Sequence, residues 1–311
     1  MRVVIALGGN ALLQRGQKGT WETQAANMDA TAEALLKIHE GGHEVVLTHG
    51  NGPQVGAIKL QNEAAAHVSP DMPLFVCGAM SQGMIGFMMA QSITNQLRLK
   101  GDDTIASCIV TQTIVSPEDP AFQNPTKPIG RFYTAEEAQE VMATTGKTMK
   151  EDAGRGYRII VPSPTPIDFV ELPAIKALLA AGQMVVSSGG GGIPVLKKAD
   201  GTFEGVDAVI DKDLSANYLA QCVAADRLVI LTDVPFACIN YNTPEQKNLE
   251  TVTVAEMEAH VAAGAFAAGS MLPKVLACIR FVKATGNRAI ITSLHSAVDA
   301  LAGTTGTQIC P

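Results

Sequence analysis

The chain has 311 residues, 47% of them hydrophobic and 17% charged, with a formal net charge of −7. Such a length and apolar content supply one large α/β domain or two lobes around a substantial core, and exclude a disordered chain. The acidic balance argues against a nucleic-acid partner, whose phosphates call for a basic excess.

The first apolar run, "RVVIAL", has no periodic polar break and ends in Gly8-Gly9-Asn10, as expected of a strand buried on both faces of a parallel sheet. A helix follows near 22–40, with Met28, Leu35, Leu36 and Ile38 able to share a face. "HEVVLTHG" then reads as a second strand and "PQVGAIKLQNEAAA" as a second helix. A long helix is predicted near 79–99. Its apolar stretch carries Ser81, Gln82 and Gln91 among glycines, so it reads as a buried amphipathic helix rather than a membrane span. Strand-type residues return in "DTIASCIVTQTIV". Helix–strand pairs then recur as "AIKALLAAG" with "QMVVSSGG", "LSANYLAQCVA" with "DRLVILTDV", and "MLPKVLACIRFVKATG" with "RAIITSL". This alternation predicts an α/β fold with a mostly parallel sheet and helices on both faces.

One segment breaks the rhythm. Residues 116–162 are polar, rich in proline and glycine, and hold Lys127, Arg131, Arg155 and Arg158. An excursion of that length from a compact domain is expected to be a lid or small inserted subdomain; the plain alternative is a mobile surface loop.

Four glycine-bearing turns stand at predicted strand or helix junctions: "LGGN" at 7–10, "THGNGPQVG" at 48–56, "SSGGGGIPV" at 187–195 and "AAGSMLPK" at 267–274. One would mean little more than a tight turn. Four fit a site where anions meet bare backbone N–H groups at strand ends and helix N-termini. The familiar nucleotide fingerprints are nevertheless missing. No G-x-G-x-x-G opens the first helix, and "GAFAAGSMLPK" has P-loop glycine spacing without the Gly-Lys-Ser that must follow.

Three lysines keep unusual company. "GVDAVIDKDL" runs an apolar stretch, read as a strand, into Asp211-Lys212-Asp213 before a helix. Charges so placed must be paired or solvated, and a simple helix cap by Asp211 or Asp213 is the competing explanation. Lys274 falls in the first turn of an apolar helix, where the dipole disfavours a cation unless it faces an anion. Lys127 lies between Pro125 and Pro128 in the inserted segment. His49 is the only histidine at a loop of interest, with an orienting role expected. Neither zinc-ligand spacing nor a G-x-S-x-G nucleophile is present. The six cysteines, Cys77, Cys108, Cys222, Cys238, Cys278 and Cys310, form no C-x-x-C pair. Most sit in apolar runs, which suits reduced thiols. With the first strand starting at about residue 2 and no signal peptide ahead of it, a cytoplasmic location is expected.

In order along the chain, "ALGGNALL", "THGNGPQVGAIKLQN", "VCGAMSQGMIGFM", "PTKPIGRFY", "EDAGRGYR", "SGGGGIPV", "GVDAVIDKDL", "LVILTDV" and "AAGSMLPKV" resemble the carbamate kinase family of the amino acid kinase superfamily. The resemblance spans essentially the whole chain, and "GAMSQGMIG" and "PTKPIG" are its most specific blocks. It implies an open αβα sandwich on a largely parallel sheet: one domain over 1–311, with 116–162 as a small protruding lid. The N-terminal part would take carbamate or carbamoyl phosphate, and the part from about 183 to 311 the nucleotide. It further implies reversible phosphoryl transfer between ATP and carbamate with Mg²⁺, run toward ATP in arginine catabolism through the arginine deiminase pathway, by a homodimer. The apolar 79–99 helix is a candidate for the dimer interface; no membrane or nucleic-acid partner is implied.

Carried onto this sequence, the family's site comprises Gly8, Gly9 and Asn10 at the transferred phosphate and Gly50 and Asn51 on the carbamate side. Lys127, Lys212 and Lys274 form the cationic set, organised by Asp213. The nucleotide would touch Asp233, Tyr241, Met271 and Lys274, with no metal ligand assigned to the protein. Cys238, inside the nucleotide loop, is expected to be inert packing whose modification would obstruct the nucleotide. Two other readings stand beside this one. A related kinase could act on a carboxylate such as acetylglutamate, and a non-catalytic nucleotide-binding relative could share the fold; the intact lysines and Asp213 weigh against the latter. A dinucleotide oxidoreductase fails for want of its fingerprint.

Overall fold

The computed structural model describes residues 1–14, 16–152 and 154–311, and of Asn10 the backbone only, so the side-chain role expected of Asn10 lies outside the described residues. The first half begins β1 (Arg2–Leu7), α1 (Trp21–Glu40), β2 (Glu44–His49), α2 (Gly52–Ala64) and α3 (Leu74–Leu99). Next come β3 (Ala106–Cys108), β4 (Gln112–Val115), β5 (Lys127–Tyr133), α4 (Ala135–Thr145), β6 (Met149–Glu151), β7 (Tyr157–Val161) and β8 (Pro166–Phe169). The second half opens with α5 (Leu172–Ala180), β9 (Met184–Val186), β10 (Ile193–Lys197), β11 (Phe203–Gly205), α6 (Lys212–Cys222) and β12 (Arg227–Thr232). It closes with β13 (Cys238–Ile239), β14 (Lys247–Asn248), β15 (Thr251–Thr253), α7 (Val254–Ala262), α8 (Met271–Thr285), β16 (Ala289–Ser293), α9 (Ala297–Leu301) and β17 (Thr307–Cys310).

The main sheet has eight strands in the order β15-β17-β16-β12-β1-β2-β9-β3. All neighbours in it are parallel except β16 and β17. β1 lies inside it with both faces covered, which is why its sequence is apolar without alternation. Val4 and Ala6 face a core built with Ala216, Leu219, Val275 and Phe281 of α6 and α8. Val3, Ile5 and Leu7 face a second core with Met28, Leu35, Ile85 and Met89 of α1 and α3. The architecture is therefore the expected αβα sandwich. By length and composition α3 could cross a membrane, but it is a core helix here: Cys77, Ile85, Met89, Ile93 and Leu97 are fully buried.

Several elements depart from the sequence reading. α3 begins at Leu74, five residues before the predicted start, behind Pro73 at its N-cap. "DTIASCIVTQTIV" splits into β3 and β4, which belong to different sheets. At the split the Gln82 side chain bonds both the N–H and the C=O of Thr111, and the same carbonyl accepts from Ile193 N of β10 at 2.9 Å, turning the chain from the main sheet to the second one. The apolar approach to Asp211 is not a strand, since residues 206–211 are irregular beyond β11. Its backbone donates outside the main sheet: Val206 to Pro194 O of β10 at 3.0 Å and Val209 to Pro162 O, just past β7, at 2.9 Å. Finally, β4, β8, β10 and β11 make a separate four-stranded sheet that the chain-order reading did not separate out.

Within 116–162, residues 127–161 build a unit of their own. β5, β7 and β6 form an antiparallel sheet, and α4 closes over it through a small core of Ala138, Met149 and Ile159. Thr134 and Glu137 cap α4 reciprocally, which starts this short helix without help from the main core.

Candidate active site

The site is assembled at the first turn of α6. Asp211 is its N-cap: Oδ1 accepts from Asp213 N at 2.9 Å and Leu214 N at 3.3 Å, satisfying two otherwise orphaned helix donors. Asp213, in the same first turn, is only 3% exposed. It survives burial because both its oxygens are paired: Lys212 Nζ donates to Oδ1, and Lys274 Nζ lies 3.2 Å from Oδ2. Lys274 sits in the first turn of α8 facing this carboxylate, and also donates to Ser270 O at 3.3 Å. Its unfavourable place on the helix dipole is thereby explained by the neighbouring anion. Lys127, the first residue of β5, donates to Asp211 Oδ2 at 2.9 Å. Burial alone would push the Asp211 carboxyl up, but the Lys127 ammonium, the Asp213 N–H and Lys212 together hold it below the ordinary carboxylate range.

Opposite α6, the ends of β1 and β2 meet. Gly50 is buried against the Gly9 backbone and the Lys212 stem: a side-chain carbon there would stand 3.4 Å from Gly9 N and 3.5 Å from Lys212 Cδ, ordinary contact distances. Asn51, next in line, donates through Nδ2 to Ser81 Oγ at 2.8 Å, and Ser81 donates to Gly78 O. That bond accounts for the serine of the "GAMSQG" block, and the Gln82 bonds to Thr111 account for its glutamine.

The floor is the loop after β9. Gly190 adopts φ +65°, and a β-carbon on it would lie 2.1 Å from the Asn51 amide nitrogen, so only glycine lets Asn51 lie there. Ser188, a non-glycine residue at φ 53°, is held in this costly conformation by three contacts. Its N–H donates to Thr111 Oγ1, its carbonyl accepts from Thr48 Oγ1, and its hydroxyl donates to Ser215, which passes its own proton to Gly191 O. His49 lies under the same loop, with Nδ1 donating to Gly50 O at 2.9 Å. Burial, with a smaller contribution from Lys212, lowers its pKa to about 4, so it is neutral and orients backbone rather than carrying charge.

A cleft of about 800 Å³ opens here between α2, the 127–161 unit and α6, lined by Gly9, Gly50, Asn51, Lys127, Gly190 and Lys212 among others. Gly8 and Asp233 line a second cavity of about 350 Å³, on the α1 side of the turn after β1, with Thr31, Thr232 and His295. Tyr241 is 59% exposed, and Met271 packs at the edge of the α6–α8 core; neither lines either cavity. The structure thus gathers the four charged residues with Gly9, Gly50 and Asn51, but does not bring the nucleotide-side residues into one pocket. Cys238 is buried in β13, with its Sγ 3.2 Å from Asn248 Oδ1, and burial raises its pKa. Sequence reasoning missed Ser188, Ser215, Ser81 and Asp211's bond to Lys127. The "SSGGGG" run was the available signal for Ser188 and the "GAMSQG" block for Ser81; Ser215 and the Asp211–Lys127 pairing carry none short of a fold.

Comparison with known proteins agrees with this geometry. The model of the amino acid kinase family matches residues 1–293. A carbamate kinase from Trichomonas vaginalis is 55% identical over 313 residues, covering 100% of both chains. The structure of a carbamate kinase from Giardia lamblia bound to AMP-PNP superposes with a TM-score of 0.94 at 54% identity, covering 99% of this chain and 98% of that one. Another structure of that Giardia lamblia enzyme, thiocarbamoylated by disulfiram on a cysteine, superposes with a TM-score of 0.92 at 53% identity and the same coverage. The fold and site define a phosphotransferase. The chain belongs to the amino acid kinase family, and within it to the carbamate kinases.

Proposed function

We propose that the chain catalyses reversible phosphoryl transfer between ATP and carbamate, giving ADP and carbamoyl phosphate. The observation that carries this reading is Asp213, a buried carboxylate holding Lys212 and Lys274 side by side where the Gly9–Gly50 backbones converge. Carbamate is already an oxyanion, so its attack on phosphorus needs no general base. The difficulty is to bring one anion to another. Lys127, Lys212 and Lys274, with the N–H groups of the glycine turns, neutralise the charge spread over the transferred group, while Asp213 keeps two of the lysines in register. Gly9, with Gly8 beside it in the same turn, leaves the phosphoryl group a clear approach, and Gly50 and Asn51 hold the carbamate end.

Among the described residues no three His, Cys, Asp or Glu side chains gather as a metal cage, and Asp211 and Asp213 are both taken by lysines. Mg²⁺ is assigned to the nucleotide, entering as MgATP, part of the substrate. The nucleotide is assigned to the β12–β13 loop and the start of α8, with Asp233, Tyr241 and Met271 beside it and Lys274 at its phosphates. The AMP-PNP complex of the Giardia lamblia relative supports nucleotide binding. The unit within 116–162 acts as a lid over the carbamate side.

Carbamoyl phosphate is a mixed anhydride, so flux runs toward ATP, as in arginine breakdown by the arginine deiminase route. Six free cysteines support a reducing, cytoplasmic setting. A homodimer is assigned to α3: Met80, Gly83 and Phe87 are exposed along one face, with Trp21 stacked on Phe87 at 6.1 Å. The decisive assay is coupled ATP formation from ADP with carbamoyl phosphate, acetyl phosphate or acetylglutamyl phosphate. Preference for carbamoyl phosphate is the expected result, and preference for acetylglutamyl phosphate would overturn the substrate assignment.

A further inference from the structure

The 127–161 unit meets the rest of the protein at a narrow base. Its first and last strand residues, Lys127 and Val161, are paired across β5 and β7. Both ends of that pair are tied to the segment leading into α6. Pro162 O accepts from Val209 N at 2.9 Å, and Lys127 Nζ donates to Asp211 Oδ2 at 2.9 Å. Asp211 is the one residue here that bonds in both directions: one oxygen caps the helix carrying Lys212 and Asp213, and the other holds a lysine of the protruding unit.

We infer that Asp211 is a positioning residue for Lys127, fixing its ammonium relative to Lys212 before substrate arrives. Capping alone does not call for a charge, since asparagine and serine cap as well as aspartate. The carboxylate's second oxygen is aimed by the cap itself. With Oδ1 pinned by two helix N–H groups, Oδ2 cannot turn away from Lys127. An ammonium has three N–H donors, so Lys127 can keep Asp211 and still donate to a phosphate oxygen in the cleft that it lines. The side chains of Lys127 and Asp211 are 35% and 15% exposed, so the pair is partly shielded from water and screened less than a surface ion pair. Without Asp211's charge, the flexible lysine stem is free to leave the position that its role requires.

This inference rests on the assignment of Lys127 to the reaction, and a double-mutant cycle separates the two. Asp211→Asn keeps shape and cap while removing charge; Asp211→Ser, which also keeps a capping oxygen, serves if the first variant folds poorly. Initial rates of ATP formation are measured for wild type, Asp211→Asn, Lys127→Ala and the double variant, alongside melting temperatures and the KM for ADP. The expected result is a loss of about tenfold or more in kcat/KM for carbamoyl phosphate in Asp211→Asn, with the KM for ADP within about threefold and melting nearly unchanged. The double variant should be no slower than Lys127→Ala alone. A wild-type rate in Asp211→Asn, or losses that multiply in the double variant, would overturn the positioning role while leaving Lys127 in place. A fully active Lys127→Ala would instead remove Lys127 from the site, and the positioning role with it.

Discussion

Lys274 Nζ stands 3.2 Å from Asp213 Oδ2, joining the first turns of α8 and α6 across 61 residues of sequence. Lys212 takes the other oxygen of the same carboxylate. Two like charges are thus kept adjacent by one buried anion, which is the condition for delivering both to a single phosphate.

Asp213→Asn keeps the side chain's volume and removes the charge that opposes the two lysines. Turnover should fall by about 10²-fold or more, the scale for losing one preorganised electrostatic contact, while ADP affinity changes by less than about tenfold. Steady-state rates with calorimetric titration of ADP check this. Loss of nucleotide binding together with activity would mean that Asp213 holds the nucleotide rather than the lysines.

Gly190→Ala places a β-carbon against the Asn51 amide and forces φ +65° on a residue that disfavours it. Strain of about 1–3 kcal/mol is expected, visible in urea denaturation. Because Asn51 must move, the KM for carbamoyl phosphate should rise as well. An unchanged KM beside lowered stability would show that Asn51 has no part in holding the substrate.

His49 is buried neutral, with its pKa lowered from 6.5 to about 4. The unfolded chain binds a proton below about pH 6.5 that the folded chain does not take until about pH 4. Stability from this residue is therefore complete above pH 6.5 and lost as pH falls through that window. The difference amounts to roughly 3 kcal/mol at about 1.36 kcal/mol per pH unit. Denaturation curves of wild type and His49→Gln between pH 7 and 4 should differ by this slope. Parallel curves would mean that His49 is protonated in the folded state.

Cys238 is buried, its thiol pKa raised, and its Sγ turned toward Asn248. It should react slowly with thiol reagents, and Cys238→Ala should stay active, since the chemistry needs no thiol. An adduct there should still block ADP, and saturating ADP should slow its formation. Mass spectrometry of the modified cysteines decides: inactivation without a Cys238 adduct, or an adduct that ADP does not slow, would move the nucleotide away from this loop. The thiocarbamoylated Giardia lamblia relative shows that a carbamate kinase cysteine can be modified in this way.

The alternation of apolar strands and amphipathic helices was legible in the sequence because it is written in local periodicity. β1, α1, β2 and α8 lie within a residue or two of where that pattern puts them. The residue types of the site were legible too, since Lys212 and Lys274 are conspicuous in apolar surroundings and glycines mark bare backbone. What the sequence could not fix is which charge answers which. Lys127 is 84 residues from Asp211, and no local rule prefers that carboxylate to Asp213 two positions on. Helix geometry sends the two aspartates in different directions, one out to the cap and one in toward α8, and only packing brings each its lysine. The same holds for the Gln82 side chain of α3, which bonds Thr111 between β3 and β4, and for Ser188's strained backbone, held by Thr48, Thr111 and Ser215 from three other segments. Composition and periodicity settle which faces are buried. Pair formation between distant polar groups is a tertiary decision, because its energy exists only once the chain has closed around them.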